Sequence, residues 1–244
     1  MQGALFSPAM LEQSLRRLRT DHLDLWQIHG VSFENDPDLF IRPNGAAEAL
    51  LQAKKQGKVR FVGFTGHKDP GMHLKMLRTG FNFDSVQMPL NAFDASFRSF
   101  QKQVVPEARR NGIAVLGMKP FSGTADPVKK GAVTAEEALR YAMSVEGVAV
   151  TIAGMETPEV LRQNLQIAQN FKPMAAEEMR ALENRVREKA GDGRYELYKV
   201  SIRYDNPEAR LAHDFPLDPA SKEVQEMIKS TDNTGKPFPD LKAQ

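Results

Sequence analysis

The chain has 244 residues, 41% of them hydrophobic, and balances 33 Lys+Arg against 31 Asp+Glu for a formal charge of +2. That length suits one large or two small folded units with a sizeable core, and an even charge with no long run of one sign offers nucleic acid no basic footprint. Cysteine is absent, which excludes disulfides, thiolate metal sites and a cysteine nucleophile.

The N-terminal stretch MQGALFSPAMLEQSLRRL lacks a basic leader and an apolar signal core. The longest apolar runs fall far short of the roughly 20 residues a membrane span needs. A soluble, cytoplasmic protein is expected.

The first element is a helix over SPAMLEQSLRRLRT, with Ser7 as cap, Pro8 next to it, and Leu11, Leu15 and Leu18 on one face. A buried strand follows, LDLWQIH (23–29). Asn44 and Gly45 precede a helix over AAEALLQAKKQGK, where Gly57 suits a left-handed stop, and VRFVGFTG (59–66) is the second strand. Asp69-Pro70 sets a cap before a proline at the first helical position of GMHLKMLRTG, with Gly80 as the stop. DSVQMPLN (84–91) is the third strand, and FRSFQKQVVPEARRNG reads as helix divided at Pro106, because proline removes a helix hydrogen bond. The fourth strand is IAVLGMKPF (113–121). Thr134 and Glu137 stand in capping-box spacing before ALRYAM. VAVTIAGM (148–155) is the fifth strand, and Thr157-Pro158 opens EVLRQNLQIAQ.

After about residue 172 this rhythm stops. AAEEMRALENRVREKA is one more amphipathic helix, with Met179, Leu182 and Val186 on a face. The segment from about 191 is rich in Pro, Asp, Lys and Asn, with a short helix at KEVQEMI. Its composition leaves two readings, a tail wrapped on the surface and a partly disordered one. The stretch RYELYKVSIRYDNPEARLAHDFPLD is a candidate to fold across a pocket mouth.

Strands alternate with helices at the period of a βα unit, and their apolar runs are continuous, as in parallel strands covered on both faces. Two architectures compete, a doubly wound open sheet and a (β/α) barrel. The first strand ends in HGVSFEND, without a glycine fingerprint, and no G-x-x-x-x-G-K-[ST] loop occurs. In a barrel the strand ends line one pocket: His29, then Thr65 and His67, Gln87 and Asn91, Lys119 and Ser122, and Gly154 and Met155. A few polar groups on an apolar frame suit a small-molecule site. The histidines show no metal-ligand spacing such as H-x-x-x-H, so no metal is expected.

SLRRLRTDHLDLWQIH, ALLQAKKQGKVRFVGFTGH, VQMPLN, VLGMKPFSG and TIAGMETPEVLRQNL, in that order over residues 11–168, resemble the aldo/keto reductases. The resemblance implies a (β/α)8 TIM-type barrel that moves a hydride between NADP(H) or NAD(H) and the carbonyl carbon of a small substrate. Its catalytic set is an aspartate, a tyrosine, a lysine and a histidine. His29 matches the histidine at the tip of the strand, where it orients the carbonyl.

The other three catalytic positions lie on strands that precede the first one here. Only about five of eight βα units are expected, spanning 1–190, with 191–244 as a partly irregular extension. None of Tyr141, Tyr195, Tyr198 and Tyr204 falls in the family's tyrosine motif. On the cofactor side the resemblance assigns Thr65 and Gln87 to the nicotinamide carboxamide, and Met118 to a place often held by an aromatic ring. Gln163 and Asn164 match residues that hold the adenine. Gly154 and Met155 stand where the 2′-phosphate is commonly gripped and Val160 replaces a common arginine, so the choice between NADP and NAD stays open.

An incomplete barrel leaves two parallel edges and an open apolar centre. Each unmet buried backbone group costs about 1–3 kcal/mol against a net stability of about 5–15 kcal/mol. The isolated chain is therefore expected to be unstable, to aggregate, or to depend on a partner. Two functions are carried forward, an aldo/keto-reductase-type oxidoreductase inactive as this chain alone, and a non-catalytic nicotinamide-nucleotide-binding or subunit protein.

Overall fold

The computed structural model describes residues 8–201 together with 204 and 205. Ser7, the helix expected at KEVQEMI and the rest of the chain from 206 lie outside the described residues. Helix α1 (Pro8–Leu18) leads into β1 (Leu23–Ile28), and α2 (Asp36–Ile41) and α3 (Ala46–Lys55) into β2 (Val59–Thr65). Helix α4 (Pro70–Leu77), β3 (Ser85–Pro89), a 3-10 turn (Asp94–Ser96), α5 (Phe100–Arg110) and β4 (Ala114–Met118) follow. The described chain ends with α6 (Asp126–Lys129), α7 (Ala135–Ser144), β5 (Val148–Ile152), α8 (Pro158–Gln169), α9 (Ala176–Ala190) and α10 (Leu197–Val200).

All five strands are parallel, in the order β1-β2-β3-β4-β5. The strands and the frame of a partial barrel are those expected from the sequence. Parallel pairing needs a long crossover after each strand, and helices supply it. Ile28, Val62, Phe64, Val86, Met88 and Val115 are buried from the sheet, and meet Leu11, Leu15, Leu50, Met76, Phe100, Val104 and Tyr141 from the helices. Leu18, expected on the same face as Leu11 and Leu15, is instead 64% exposed.

The local signals act as their chemistry requires. The Asp69 carboxylate accepts from Gly71 N at 2.7 Å, and Thr134 and Glu137 exchange both capping-box bonds. Gly57 and Gly80 take the left-handed dihedrals their stop positions need. The division expected at Pro106 does not occur, because α5 runs through it. The helix starts late instead, at Phe100, where the Ser99 hydroxyl caps Lys102 N and the Asp94 carboxylate receives Phe100 N and Gln101 N. Burial of Phe100, Val104, Val105 and Ala108 then holds the helix together across the proline. Helices α2, α6 and α10 are too short to carry a periodic signal.

The two outer strands pair on one side only among the described residues. Val150 and Ile152 of β5, with Met155 beyond it, and Leu161 and Leu165 of α8 are exposed. No helix among the described residues is long and apolar enough to cross a membrane.

Pro106 is exposed and cannot donate to the carbonyl one turn earlier. Pro106→Ala is expected to raise the unfolding free energy by about 1–3 kcal/mol, read as a higher midpoint in thermal or urea denaturation. An unchanged midpoint would refute the view that α5 carries its proline as a strain.

Candidate functional site at the strand ends

The chain leaving β1 stays paired past its last strand residue, since Gly30 N and Val31 N both donate to Thr65 O at 3.1 and 2.8 Å. His29 sits on this exit, on the exposed rim. Gly30 N also lies 3.4 Å from Thr65 Oγ1, so the buried Thr65 hydroxyl is adjacent to the histidine's backbone. Gly66 follows, and here a side chain is excluded. A Cβ would stand 2.5 Å from Val31 O and 2.6 Å from His73 Cε1.

The strand register aligns the first two of the expected residues, and a side-chain contact adds the third. Thr65 is paired with Gln87, and Gln87 Nε2 lies 3.4 Å from Met118 Sδ. A thioether is a weak acceptor, so the Gln87 amide keeps most of its capacity for a stronger one. Met118 is paired with Ile152, two residues before Gly154. Beyond β5 a second group forms, with Asn164 Nδ2 donating to Gly154 O at 3.0 Å and Gln163 Nε2 to Asn164 Oδ1 at 3.4 Å. Asn164 is buried, while Gly154, Met155 and Gln163 are exposed.

The middle of the strand-end face is covered by the chain after α9. His67 Nε2 contacts Tyr204 O at 3.0 Å, so that nitrogen carries the proton and donates. Burial is the main cause that lowers the His67 pKa to about 4, and the positive charges of Lys119, His29 and Lys68 add to it. His67 is thus a neutral imidazole at pH 7. Burial also lowers Lys119, whose ammonium lies 5.4 Å from the centre of the Tyr198 ring.

Under this cover lies a buried polar cluster. Asn91 accepts from Phe93 N and Asp94 N at 2.9 and 3.1 Å, and donates to Lys119 O at 3.2 Å and to the Tyr198 hydroxyl oxygen at 3.1 Å. The Tyr198 hydroxyl donates to Glu196 at 2.7 Å. Lys199 Nζ donates to Asp94 at 2.6 Å, Glu196 at 2.9 Å and Phe97 O at 2.8 Å. Burial raises the Glu196 pKa to about 7, against the attraction of Lys199 and with the help of the Asp94 charge. Tyr198 is pushed well above its usual value, first by burial and then by Glu196. Tyr141 is raised likewise by burial and by Glu183, which accepts its hydroxyl at 2.6 Å.

The structure thus brings His29, Thr65, Gln87 and Met118 into one row, and Gly154, Gln163 and Asn164 into a neighbouring group. The described part of the stretch from Arg194, a candidate from sequence to fold across a pocket mouth, does lie against the strand-end loops, but the individual roles of Lys68, Asp94, Glu196, Tyr198 and Lys199 are not foreseen. The run ELYK, with three hydrogen-bonding side chains in one turn of an otherwise unpatterned segment, is the signal that marks them.

A model of the aldo/keto reductase family matches residues 8–130. Among curated relatives, an uncharacterized oxidoreductase YqkF of Bacillus subtilis is 24% identical over 73% of this chain and 65% of its own length. Methylglyoxal reductase DkgB of Escherichia coli O157:H7 is 31% identical over 70% of this chain and 63% of its own. The chain therefore spans less than two thirds of the length of these relatives. The holo form of aldo-keto reductase AKR11C1 from Bacillus halodurans superposes with a TM-score of 0.59 at 23% identity, covering 72% of this chain and 63% of that one. At that identity the likeness shows the fold.

A carboxyl group whose pKa is raised in the folded state favours the protonated, docked form. Its contribution is complete below the ordinary value near 4.5 and is lost as pH rises through about 7. Hydrogen exchange at Leu197–Val200 is therefore expected to quicken, relative to the β3 amides and after correction for intrinsic rates, between pH 5 and 8. Glu196→Gln is expected to flatten that dependence. A slope that persists in Glu196→Gln would place the titrating group elsewhere.

Proposed function

The chain belongs to the aldo/keto reductase family, an oxidoreductase family, and from that premise we propose that its strand-end cleft holds NADP(H) or NAD(H) and presents it to a small carbonyl compound. The observation that carries this reading is the meeting of Thr65, Gln87 and Met118 from three adjacent strands, Thr65 paired with Gln87 and the Gln87 amide 3.4 Å from Met118 Sδ. A carboxamide needs both a donor and an acceptor. Thr65 offers a hydroxyl and Gln87 an amide whose present partner is only a sulfur, so the donor set fits that group.

When bound, the reduced nicotinamide supplies a hydride to the carbonyl carbon while the oxygen takes up a proton. Thr65 and Gln87 hold the carboxamide in place, and Met118 covers the ring with an apolar, polarisable surface. Asn164, anchored on Gly154 O, and Gln163 hold the adenine end. The exposed Gly154 and Met155 provide no cationic fork for a 2′-phosphate, so the two nucleotides are expected to bind with similar affinity. His29, on the rim, donates a hydrogen bond to the carbonyl oxygen and orients it.

A second reading, nucleotide binding without turnover, is favoured by the tyrosines. The hydroxyls of Tyr141 and Tyr198 are both committed to carboxylates and hold their protons tightly. Neither is poised to give a proton to a substrate.

Calorimetric titration with NADPH and NADH tests the shared premise, and absence of binding by either would end both readings. Gln87→Leu is expected to weaken nucleotide binding about tenfold, or about 1.4 kcal/mol. Reduction of methylglyoxal, followed by loss of nucleotide absorbance, separates the two. If turnover occurs, His29→Ala should lower it about a hundredfold with the nucleotide Kd unchanged; if none occurs, binding alone is the function.

A further inference from the structure

The strand-end face is crossed by a segment of its own chain, tied down at the loops after β2, β3 and β4. Ser122, after β4, donates to Tyr195 O. Asn91, after β3, meets the Tyr198 hydroxyl, and Arg98 donates to Lys199 O at 3.1 Å. After β2, His67 holds Tyr204 O, and Lys68 Nζ donates to Asp205 at 2.8 Å and to Ser201 O at 3.4 Å. The Tyr198 ring lies over Lys119 and its centre stands 5.8 Å from that of His67.

The fastening is ionic and wholly buried. Lys199 and Asp94 have no side-chain exposure, and the three donors of the ammonium meet three acceptors. The two sides of this socket are unequal. Asp94 keeps Ser99 Oγ, Phe100 N and Gln101 N without Lys199, so the barrel side survives its departure. Glu196 would keep only the Tyr198 hydroxyl, so the segment's own side of the socket loses its one cation and one of its two hydrogen bonds. The turn that aims the segment is specialised as well. Gly193 has φ of +76°, and a Cβ there would stand 2.8 Å from Val200 Cγ1 and 2.9 Å from Phe97 Cε1.

We infer that the chain from Tyr195 to Ser201, with Tyr204 and Asp205, is a latch that covers the strand-end face over Lys119, held by Lys199 in the Asp94–Glu196 socket, and that a nucleotide enters when the latch lifts. The inference rests on the nucleotide reading of the strand ends for its ligand alone; the cover itself is independent of that reading.

The test is a pulse of acetic anhydride on the full chain, with mass spectrometry at individual lysines, followed by calorimetry with NADPH. Lys55, which is exposed, serves as reference, and hydrogen exchange at the β3 amides reports global unfolding. In Lys199→Met, Lys119 is expected to react at least tenfold faster relative to Lys55, with β3 exchange unchanged and NADPH bound at least threefold more tightly. Unchanged reactivity of Lys119 would overturn the latch. Faster Lys119 with identical NADPH affinity would overturn the control of entry. Faster Lys119 with no NADPH binding in either protein would uphold the cover and reject the nucleotide reading. If Lys199→Met quickens β3 exchange too, Tyr198→Ala, which keeps the Lys199–Asp94 pair and removes the covering ring, carries the same comparison with the same outcomes.

Discussion

The Asp94 carboxylate is buried and accepts four hydrogen bonds, from Ser99 Oγ, Phe100 N, Gln101 N and Lys199 Nζ. A charge taken out of water must be met in full, and the ways in which this one is met organise much of the molecule. Three of its donors start α5, which explains why that helix begins after Ser99 and not at Phe97. The fourth draws in the chain after α9. Asn91 sits beside this centre and joins it to the loop after β4 through Lys119 O. The ends of β3 and β4 and the segment around α10 are therefore one polar unit, and a change in any of them is felt by the others.

The parallel sheet gives this unit its place. Parallel strands all end on one side, so the side chains that follow β1 to β5 converge without any local signal requiring it. Burial differs along the sheet in a way that matters. β2 and β3 are covered on both faces over much of their length and β4 on one, whereas β5 leaves Val150 and Ile152 in contact with solvent. The polar cluster lies at the ends of the well-covered strands. The edges carry unpaired backbone groups among the described residues, the feature that natural sheets usually cover or disguise.

Much of this was legible residue by residue. The capping box at Thr134 and Glu137 and the Asp69-Pro70 entry appear as written, because a cap needs only its own few residues. Thr65, Gln87 and Met118 were legible through motifs at strand ends; the register of β2 and β3 pairs the first two, and the Gln87 side chain reaches Met118, which is itself paired with Pro89. Pro106 misled, because the loss of one helix hydrogen bond is a local cost and the buried face of α5 outweighs it. The stretch holding Glu196, Tyr198 and Lys199 was legible as a candidate cover, but its fastening was not, since Lys199 and its partner Asp94 stand 105 positions apart.

By itself the sequence determined the order of strands and helices, their parallel arrangement, the family and the identity of the residues at each strand tip. Those follow from periodicity, caps and short motifs, all of which act over a few residues. Only the tertiary structure decided which of the tip residues are covered, that His67 is held neutral while His29 stays on the rim, and that Glu196 titrates near neutrality. Desolvation and ion pairing depend on what the rest of the chain brings to a point in space, and no local pattern encodes that.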